Sequence, residues 1–467
     1  MVGSDQAGAS GSTGRPRPSL QDGNGHVDNG FAPLADPQPT PDRMQQAAPT
    51  PAPTPVPTPT LDRCIGVSST EFAQQYWSSA PLFTPATGGE GTFADLLSLD
   101  DVDELVSTRG LRTPFLRMAK NGSVLSTATF TRSGGVGAGI TDQVADDKVL
   151  AQLSDGATLV LQALHRSWPP LVRFGSALAA ELGHPVQINA YITPAQNQGF
   201  SAHYDTHDVF VLQVAGTKRW TIHRPVIDDP LPDQSWDQRK AQVAARAAEK
   251  PLIDTLLAPG DALYLPRGYL HSAVAQGEIS VHLTVGVHPI TGYDLARELL
   301  AAAADDRELR RSLPLGGDPE ALAERVRAAA HRLAVVIDEA AVTDTAVAMV
   351  SRRVDRRLSR ETRPEPISPL AQLTAIGNLQ PGTALRVRSG LRPALRRAGN
   401  RLSLDVIDTT VSWPLDAERA LRRSLSGDTF RPSDLENLDP DEQLVLARRL
   451  LREGVVVPAE PGPPASV

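Results

Sequence analysis

Between Pro185 and Pro289 the chain is written in short runs of Val, Ile, Leu, Tyr and Thr, each closed by Gly, Pro or Asp. Runs of that length and composition read as strands. They cover residues 186–192, 209–214, 218–222, 262–265 and 279–285. Together they predict an antiparallel sandwich or small barrel, a closed frame that can hold a site inside it.

The rest of the 467 residues divides around this block. Residues 1–60 are rich in proline and end in Pro-Thr-Pro repeats, which favour an extended, disordered tail. Order is expected from Leu61. Ser69-Thr70-Glu71-Phe72 opens a helix that carries Phe72, Tyr76 and Trp77, and a second helix is expected through Leu159, Leu161, Leu164 and His165. After Pro289 apolar residues recur at three- and four-residue spacing over 295–300, 322–337 and 346–358, a helical pattern. Its stripes serve either an internal core or a homodimer surface. From 363 to 458 strand and helix patterns mix, in proportions compatible with a winged-helix-like domain, and 459–467 form a second proline-rich tail. The fold class expected is α+β: a β core over 61–290 with an N-terminal α/β elaboration, a helical region over 291–362 and the module over 363–458.

Composition narrows the function. A formal charge of −8 argues against a dedicated nucleic-acid binder. The arginines 386, 388, 392, 396, 397 and 401 form a local basic run, which reads more simply as a solvated face. One cysteine, Cys64, excludes an internal disulfide framework and points to a reducing cytoplasm. No apolar run reaches the length of a membrane span, and no secretory signal is visible.

The chemistry lies in the β block. His203-Tyr204-Asp205 places a histidine and a carboxylate two residues apart, which on a strand means the same face. His271 follows a Pro266-Arg267-Gly268 turn, and a sheet folded back on itself can bring it opposite the first two. Two histidines and one carboxylate suit non-haem Fe(II), with positions left open, and the lack of thiolates argues against structural zinc. Other pairings exist. His203 and His207 have helical zinc-protease spacing but lack the glutamate, while His282 and His288 share strand parity, with His282 expected as pocket lining or core.

Several segments together resemble the JmjC-type ribosomal oxygenases of the cupin superfamily. They are Gln187-Ile-Asn-Ala-Tyr191, His203-Tyr-Asp205, Lys218-Arg-Trp220, Pro259-Gly-Asp261, Tyr264-Leu-Pro-Arg-Gly268 and His271-Ser-Ala273. Leu111-Arg-Thr-Pro114 with Arg117 and Lys120 continues the likeness upstream, so it spans 61–290. The resemblance implies a double-stranded β-helix (cupin, jelly-roll) core, Fe(II), and the co-substrates 2-oxoglutarate and O2. By position it implies His203, Asp205 and His271 as iron ligands and Lys218 as the cation for the far carboxylate of 2-oxoglutarate. It puts Asn189 and Tyr191 along the co-substrate pocket, with Thr284 as a further hydroxyl donor and Tyr204 or Arg267 orienting the ligands.

The activity so implied is hydroxylation of a histidine or arginine side chain in a protein, with a ribosomal protein among the candidate partners. A peptide or natural-product substrate fits the same residues. Two other classes stay open: a catalytically silent cupin acting as a dimeric binding module, and a zinc hydrolase built on the same cluster.

Overall fold

The computed structural model describes residues 59–459 apart from 87–92, 121, 136–138, 199, 314, 316–318 and 343. The tail expected over 1–60 lies outside the described residues except for its last two, which begin the short helix Pro59–Asp62, and of the tail over 459–467 only Ala459 is described.

Among the described residues, eleven strands precede the helical region. They are β1 (Leu82–Thr84), β2 (Leu116–Lys120), β3 (Ser123–Val124), β4 (Thr131–Gly134), β5 (Ile140–Val144) and β6 (Thr158–Leu161). Then come β7 (Val186–Thr193), β8 (Asp208–His223), β9 (Ile253–Leu257), β10 (Ala262–Leu265) and β11 (Leu270–Val287). Nine of them form one sheet in the order β1-β10-β8-β11-β7-β6-β2-β3, with β9 on β8. Every pairing in it is antiparallel. The all-antiparallel frame expected from the strand runs is therefore present, but two boundaries differ. Runs 209–214 and 218–222 are one strand, β8, and the run 279–285 extends back through His271 as β11.

The seam inside β8 matters most. β11 pairs with β8 from Leu270↔His223 to Val287↔Asp208, and the register shifts near Gly216. Gly216 sits at φ +60°, and a Cβ built on it would stand 2.1 Å from the Ile279 carbonyl oxygen. A bulge of this kind changes which face later side chains occupy. Before it, Val209 and Val211 face the inside of the roll while Phe210 and Leu212 join the outer core with Leu171, Phe174 and Leu178 of the helix Pro169–Leu182. After it, Lys218, Trp220 and Ile222 face the inside, although simple alternation from Val209 would turn them out.

Helix was expected through Leu159–His165, and here the structure corrects the sequence reading. Residues 158–161 are β6, buried at every position and paired with β2 and β7, and only Leu164–Ser167 is helical. A four-residue apolar run carries no period of its own, and Ala163 at φ +56° separates the two elements. The helix opening near Ser69 does form. Ser68 caps it, it continues as a π-helical turn over Phe72–Tyr76, and Phe72 is buried edge-on to Tyr264 at 4.9 Å.

Beyond the sheet run the helices Gly292–Ala302, Pro319–Val342 and Asp344–Glu361. The C-terminal module has its own core, with Leu385, Leu404, Leu421, Phe430, Leu450 and Val456 buried together. It is made from the helices Pro369–Gly377, Glu418–Ser424 and Pro440–Arg452, a three-stranded meander over 394–414, and the pair Leu385–Val387 with Val456–Pro458. Among the described residues no helix is long and apolar enough to cross a membrane.

Gly216→Ala should lower the thermal midpoint sharply or leave the protein insoluble, because the methyl group meets backbone that cannot move aside. Differential scanning fluorimetry against Gly183→Ala, which meets nothing within 4 Å at a similar positive φ, separates the packing clash from the conformational cost.

Candidate metal centre

His203 and His271 form an antiparallel bridge outside the named ladders. The His203 N–H donates to the His271 carbonyl at 3.1 Å, and the His271 N–H returns the bond at 2.8 Å. Two residues on, the Gly268 N–H donates to the Asp205 carbonyl at 2.9 Å. The turn Pro266-Arg267-Gly268 thus fastens the His203-Tyr204-Asp205 segment by its backbone. A side chain at Gly268 would collide with the Ile227 carbonyl at 2.7 Å. The shared face of His203 and Asp205 was expected from a strand. The structure instead puts both in the segment before β8, where only His203 pairs in bridge fashion. Tyr204 points away, fully buried with Leu270 and Val243, and its hydroxyl donates to the Gln234 carbonyl at 2.7 Å.

The three side chains converge. One ligand atom from each of His203, Asp205 and His271 lies within 4.8 Å of the others, and they form the one such group among the described residues. The imidazole rings are 4.4 Å apart, and Asp205 Oδ2 is 3.7 Å from His271 Nε2. His203 Nδ1 is 2.8 Å from the Ser201 carbonyl, and His271 Nδ1 is 3.1 Å from that of Tyr269. A carbonyl only accepts, so each Nδ1 carries the proton and each Nε2 presents its lone pair to the common centre. Burial, reinforced by His203 and opposed by Asp205, pulls His271 down to about 4, so its ring is neutral at pH 7 and fit to bind a metal. For Asp205, burial pushes upward, but His207, His271, His203 and Arg117 outweigh it and the carboxyl stays ionised more readily than usual.

The other histidines stand apart from this cluster. His207 faces His288 at 4.9 Å, and the 203–207 segment is not helical, which removes the zinc-protease arrangement. His282 lines the cavity, one of the two places expected for it.

A cavity of about 370 Å³ opens from the cluster into the roll. Lys218 is 4% exposed and lines it, with Nζ donating to Thr193 Oγ1 at 3.0 Å. Thr193 is in turn 3.1 Å from Thr158 Oγ1. Burial alone drives Lys218 down to about 7, since no carboxylate of the protein compensates it. Tyr191 and Thr284 line the same space. Tyr191 stacks on His282 at 5.0 Å, and burial raises its phenol against the opposing pull of Arg117. Asn189 is the one expected pocket residue not found on the wall. Its Oδ1 accepts the Ala163 N–H at 3.0 Å and holds the turn before the Leu164–Ser167 helix.

Sequence reasoning missed three contributors. Thr193 bonds the lysine and Thr158 bonds Thr193, and nothing in their local sequence marks them, because β6 and β7 become neighbours only in the fold. Asp208 is completely buried and accepts from the Tyr264 hydroxyl at 2.7 Å, the Arg267 N–H at 3.0 Å and the Ser78 hydroxyl at 3.2 Å. It ties the start of β8 to the turn before His271. Arg267, expected to orient the ligands, reaches Asp229 at 2.8 Å and Asp208 at 3.7 Å and so acts on the turn.

With this geometry in place, the chain can be set beside known proteins. Residues 168–295 match the family model described as the JmjC domain. Ribosomal oxygenase 1 of Gallus gallus is 31% identical over 255 residues, covering 52% of this chain and 40% of that protein. The Rattus norvegicus protein of the same name is 29% identical over 350 residues, covering 66% and 58%. A bifunctional lysine-specific demethylase and histidyl-hydroxylase NO66 of Drosophila grimshawi is 40% identical over 139 residues, covering 28% and 19%. The matched part of this chain therefore spans 58% or less of each of these relatives' length. Among solved structures, the ribosomal oxygenase YcfD of Escherichia coli is 17% identical with a TM-score of 0.48, covering 84% of this chain and 98% of that one.

Lys218→Met should raise the thermal midpoint of the ligand-free protein, because a buried unpaired charge is replaced by apolar volume. The folded value of Lys218 lies below its unfolded 10.5, so its cost is full below pH 7 and fades as pH rises toward 10.5. The gain from the substitution is expected to be larger at pH 7 than at pH 10 in thermal melts.

Proposed function

We propose that this chain is a member of the JmjC ribosomal-oxygenase family, an Fe(II)- and 2-oxoglutarate-dependent dioxygenase that hydroxylates a side chain of a protein. The observation that carries the proposal is the cavity itself, which has a two-histidine, one-carboxylate cluster and a buried, uncompensated lysine on one wall system. A cluster of that composition suits a ferrous ion with positions to spare, and a buried cation without a partner calls for an anion. A co-substrate with a metal-binding keto-acid end and a second carboxylate satisfies both at once.

In this reading His203 Nε2, His271 Nε2 and an Asp205 oxygen hold the metal from one side. Lys218 pairs with the far carboxylate of 2-oxoglutarate, steadied by Thr193. Tyr191 and Thr284 offer hydroxyls along the wall, and Asn189 serves the pocket from behind by holding the Ala163 turn. Iron with 2-oxoglutarate and O2 supplies the oxidising power for C–H hydroxylation. The protein supplies placement and dryness: Phe200 and Trp236 line the cavity beside His203, and Trp220 and His282 close its inner wall. The target is a histidine- or arginine-type side chain, with a ribosomal protein as the favoured partner, in keeping with the names of the relatives.

The outer parts fit the same picture. The helical region leaves Leu295 and Val347 exposed beside an apolar groove between the helices Gly292–Ala302 and Asp344–Glu361, which suits a homodimer contact. The C-terminal helices, meander and final strand suit a winged-helix-like module. The arginine run is largely spoken for: Arg386 pairs with Glu365, Arg396 with Asp405 and Arg397 with Glu418, which supports a role in folding over nucleic-acid contact. Cys64 is a buried thiol raised to about 12 by that burial, in keeping with a reducing cytoplasm.

Purified protein with Fe(II) should convert 2-oxoglutarate to succinate, and His203→Ala should abolish this. Comparing ribosomal-protein masses from cells with and without the gene should show one oxygen atom lost on deletion. Equal turnover by the wild type and His203→Ala would sink the proposal.

A further inference from the structure

Lys218 and Arg117 both line the cavity, and only Lys218 has a partner in the proposed function. Along β2, Leu116 and Met118 enter the core behind the sheet, so Arg117 between them projects to the cavity side. It is partly buried and forms no ion pair among the described residues, whereas Lys120 of the same strand is held by Asp155 at 2.7 Å. Its guanidinium lies over the Phe200 ring, 5.5 Å from the centroid, and the Phe200 ring is 6.0 Å from that of His203. Its Nε is enclosed, which with the Phe200 face fixes the group in place. Its charge is felt at the cluster: against the upward push of burial, Arg117 joins the histidines in keeping Asp205 ionised.

The charges of the filled site do not balance without Arg117, and with it they leave a surplus. Asp205 is the only carboxylate among the described residues of the cavity wall, and the cluster already uses it. With the site filled as proposed, a divalent ion offsets the two charges of 2-oxoglutarate, and Lys218 offsets Asp205. Arg117 is left over, so the filled cavity carries one positive charge in excess. His271 and His282 add none at pH 7, because burial holds both rings neutral. A target side chain must come alongside His203 to reach the metal. Phe200 and Trp236 stand there, their rings 6.0 and 6.1 Å from that of His203, and offer apolar faces without a negative charge. Lys240 lies 6.0 Å from the centre of the Trp236 ring and is a further cation on that side. A guanidinium or ammonium entering this space would leave water and meet no carboxylate, which is costly. A neutral imidazole escapes that cost.

We propose that Arg117 sets the charge of the target side chain: it turns away arginine and lysine and admits a neutral group such as that of histidine. This rests on the reading of the cavity as a 2-oxoglutarate-dependent hydroxylation site, and it narrows the histidine-or-arginine choice which that reading left open. Arg117 is a specificity residue in this account. It acts through its fixed charge, so its removal changes which side chain enters and leaves the co-substrate end of the cavity as it was.

The test is equilibrium binding without turnover. The probes are N-acetyl-citrulline methylamide and N-acetyl-arginine methylamide, which share a shape and differ by one charge. Ligand-observed NMR on the oxygen-free full chain, loaded with Mn(II) and 2-oxoglutarate, reads their affinities, because the paramagnetic ion broadens the signals of a molecule lying near it. The wild type should bind the citrulline probe about tenfold more tightly, the scale of repulsion between unit charges about 10 Å apart at an effective dielectric constant of about 20. In Arg117→Gln the two affinities should converge, and in Arg117→Glu the order should reverse. Circular dichroism checks that each variant folds, and the two variants guard against one failing to do so. Equal binding of both probes by the wild type, binding of neither, or an unchanged preference in the folded variants overturns the proposal. So does a loss of about tenfold or more in 2-oxoglutarate affinity in Arg117→Gln, the value of a hydrogen bond to a charged group, which would assign Arg117 to the co-substrate. A wild type that binds no 2-oxoglutarate overturns the reading of the cavity instead. The probes are then compared on the Mn(II)-loaded chain alone, where the charge preference stands or falls by the same outcomes.

Discussion

The structure depends on one pair of backbone hydrogen bonds, those exchanged between His203 and His271. They join a segment with no ladder of its own to the first residues of an eighteen-residue strand. The side chains of a paired antiparallel couple project to the same side, so the bond that sets the distance also sets the direction. Asp205 follows because Gly268 donates to its carbonyl, and Gly268 is where it is because Asp208 grips Arg267 and Tyr264. The His203-Asp205-His271 cluster is thus a consequence of main-chain geometry, with the two histidine side chains locked afterwards by the Ser201 and Tyr269 carbonyls.

A second constraint is the bulge at Gly216, without which the cluster would face a cavity lacking its cation. It carries Lys218 and Trp220 to the face of Val209 and Val211 and leaves the buried amine with hydroxyls but no carboxylate. The protein bears the cost of that burial in the ligand-free state. In the proposed function the same cost would become affinity for a dianion, because the ligand would find a desolvated and fixed partner.

Much of this was legible in the chain. The strand runs gave β7 to within one residue and β10 fully, and the helical periodicities after Pro289 match the three helices found there. The spacing of His203, Asp205 and His271 marks the cluster within the sequence itself. What escaped has physical reasons. The β6 run is too short for helix and strand to differ in period. Counting by twos along β8 puts Lys218 on the outer face with Phe210, and only the left-handed glycine reverses it. Thr158, Thr193 and Asp208 act through neighbours 25 or more residues away, which no local pattern records. The family resemblance put Asn189 along the pocket beside Tyr191, but the approach of the Ala163 turn decides where its oxygen is used.

The central claim is that the backbone pair creates a single three-ligand metal site. Anaerobic titration of Fe(II) into the purified chain, read as metal bound per polypeptide, tests it most directly. The account predicts one ion per chain for the wild type and none retained after desalting for His271→Ala, with the fold intact by circular dichroism. Unchanged binding in His271→Ala, or a wild type that retains no iron, would contradict it.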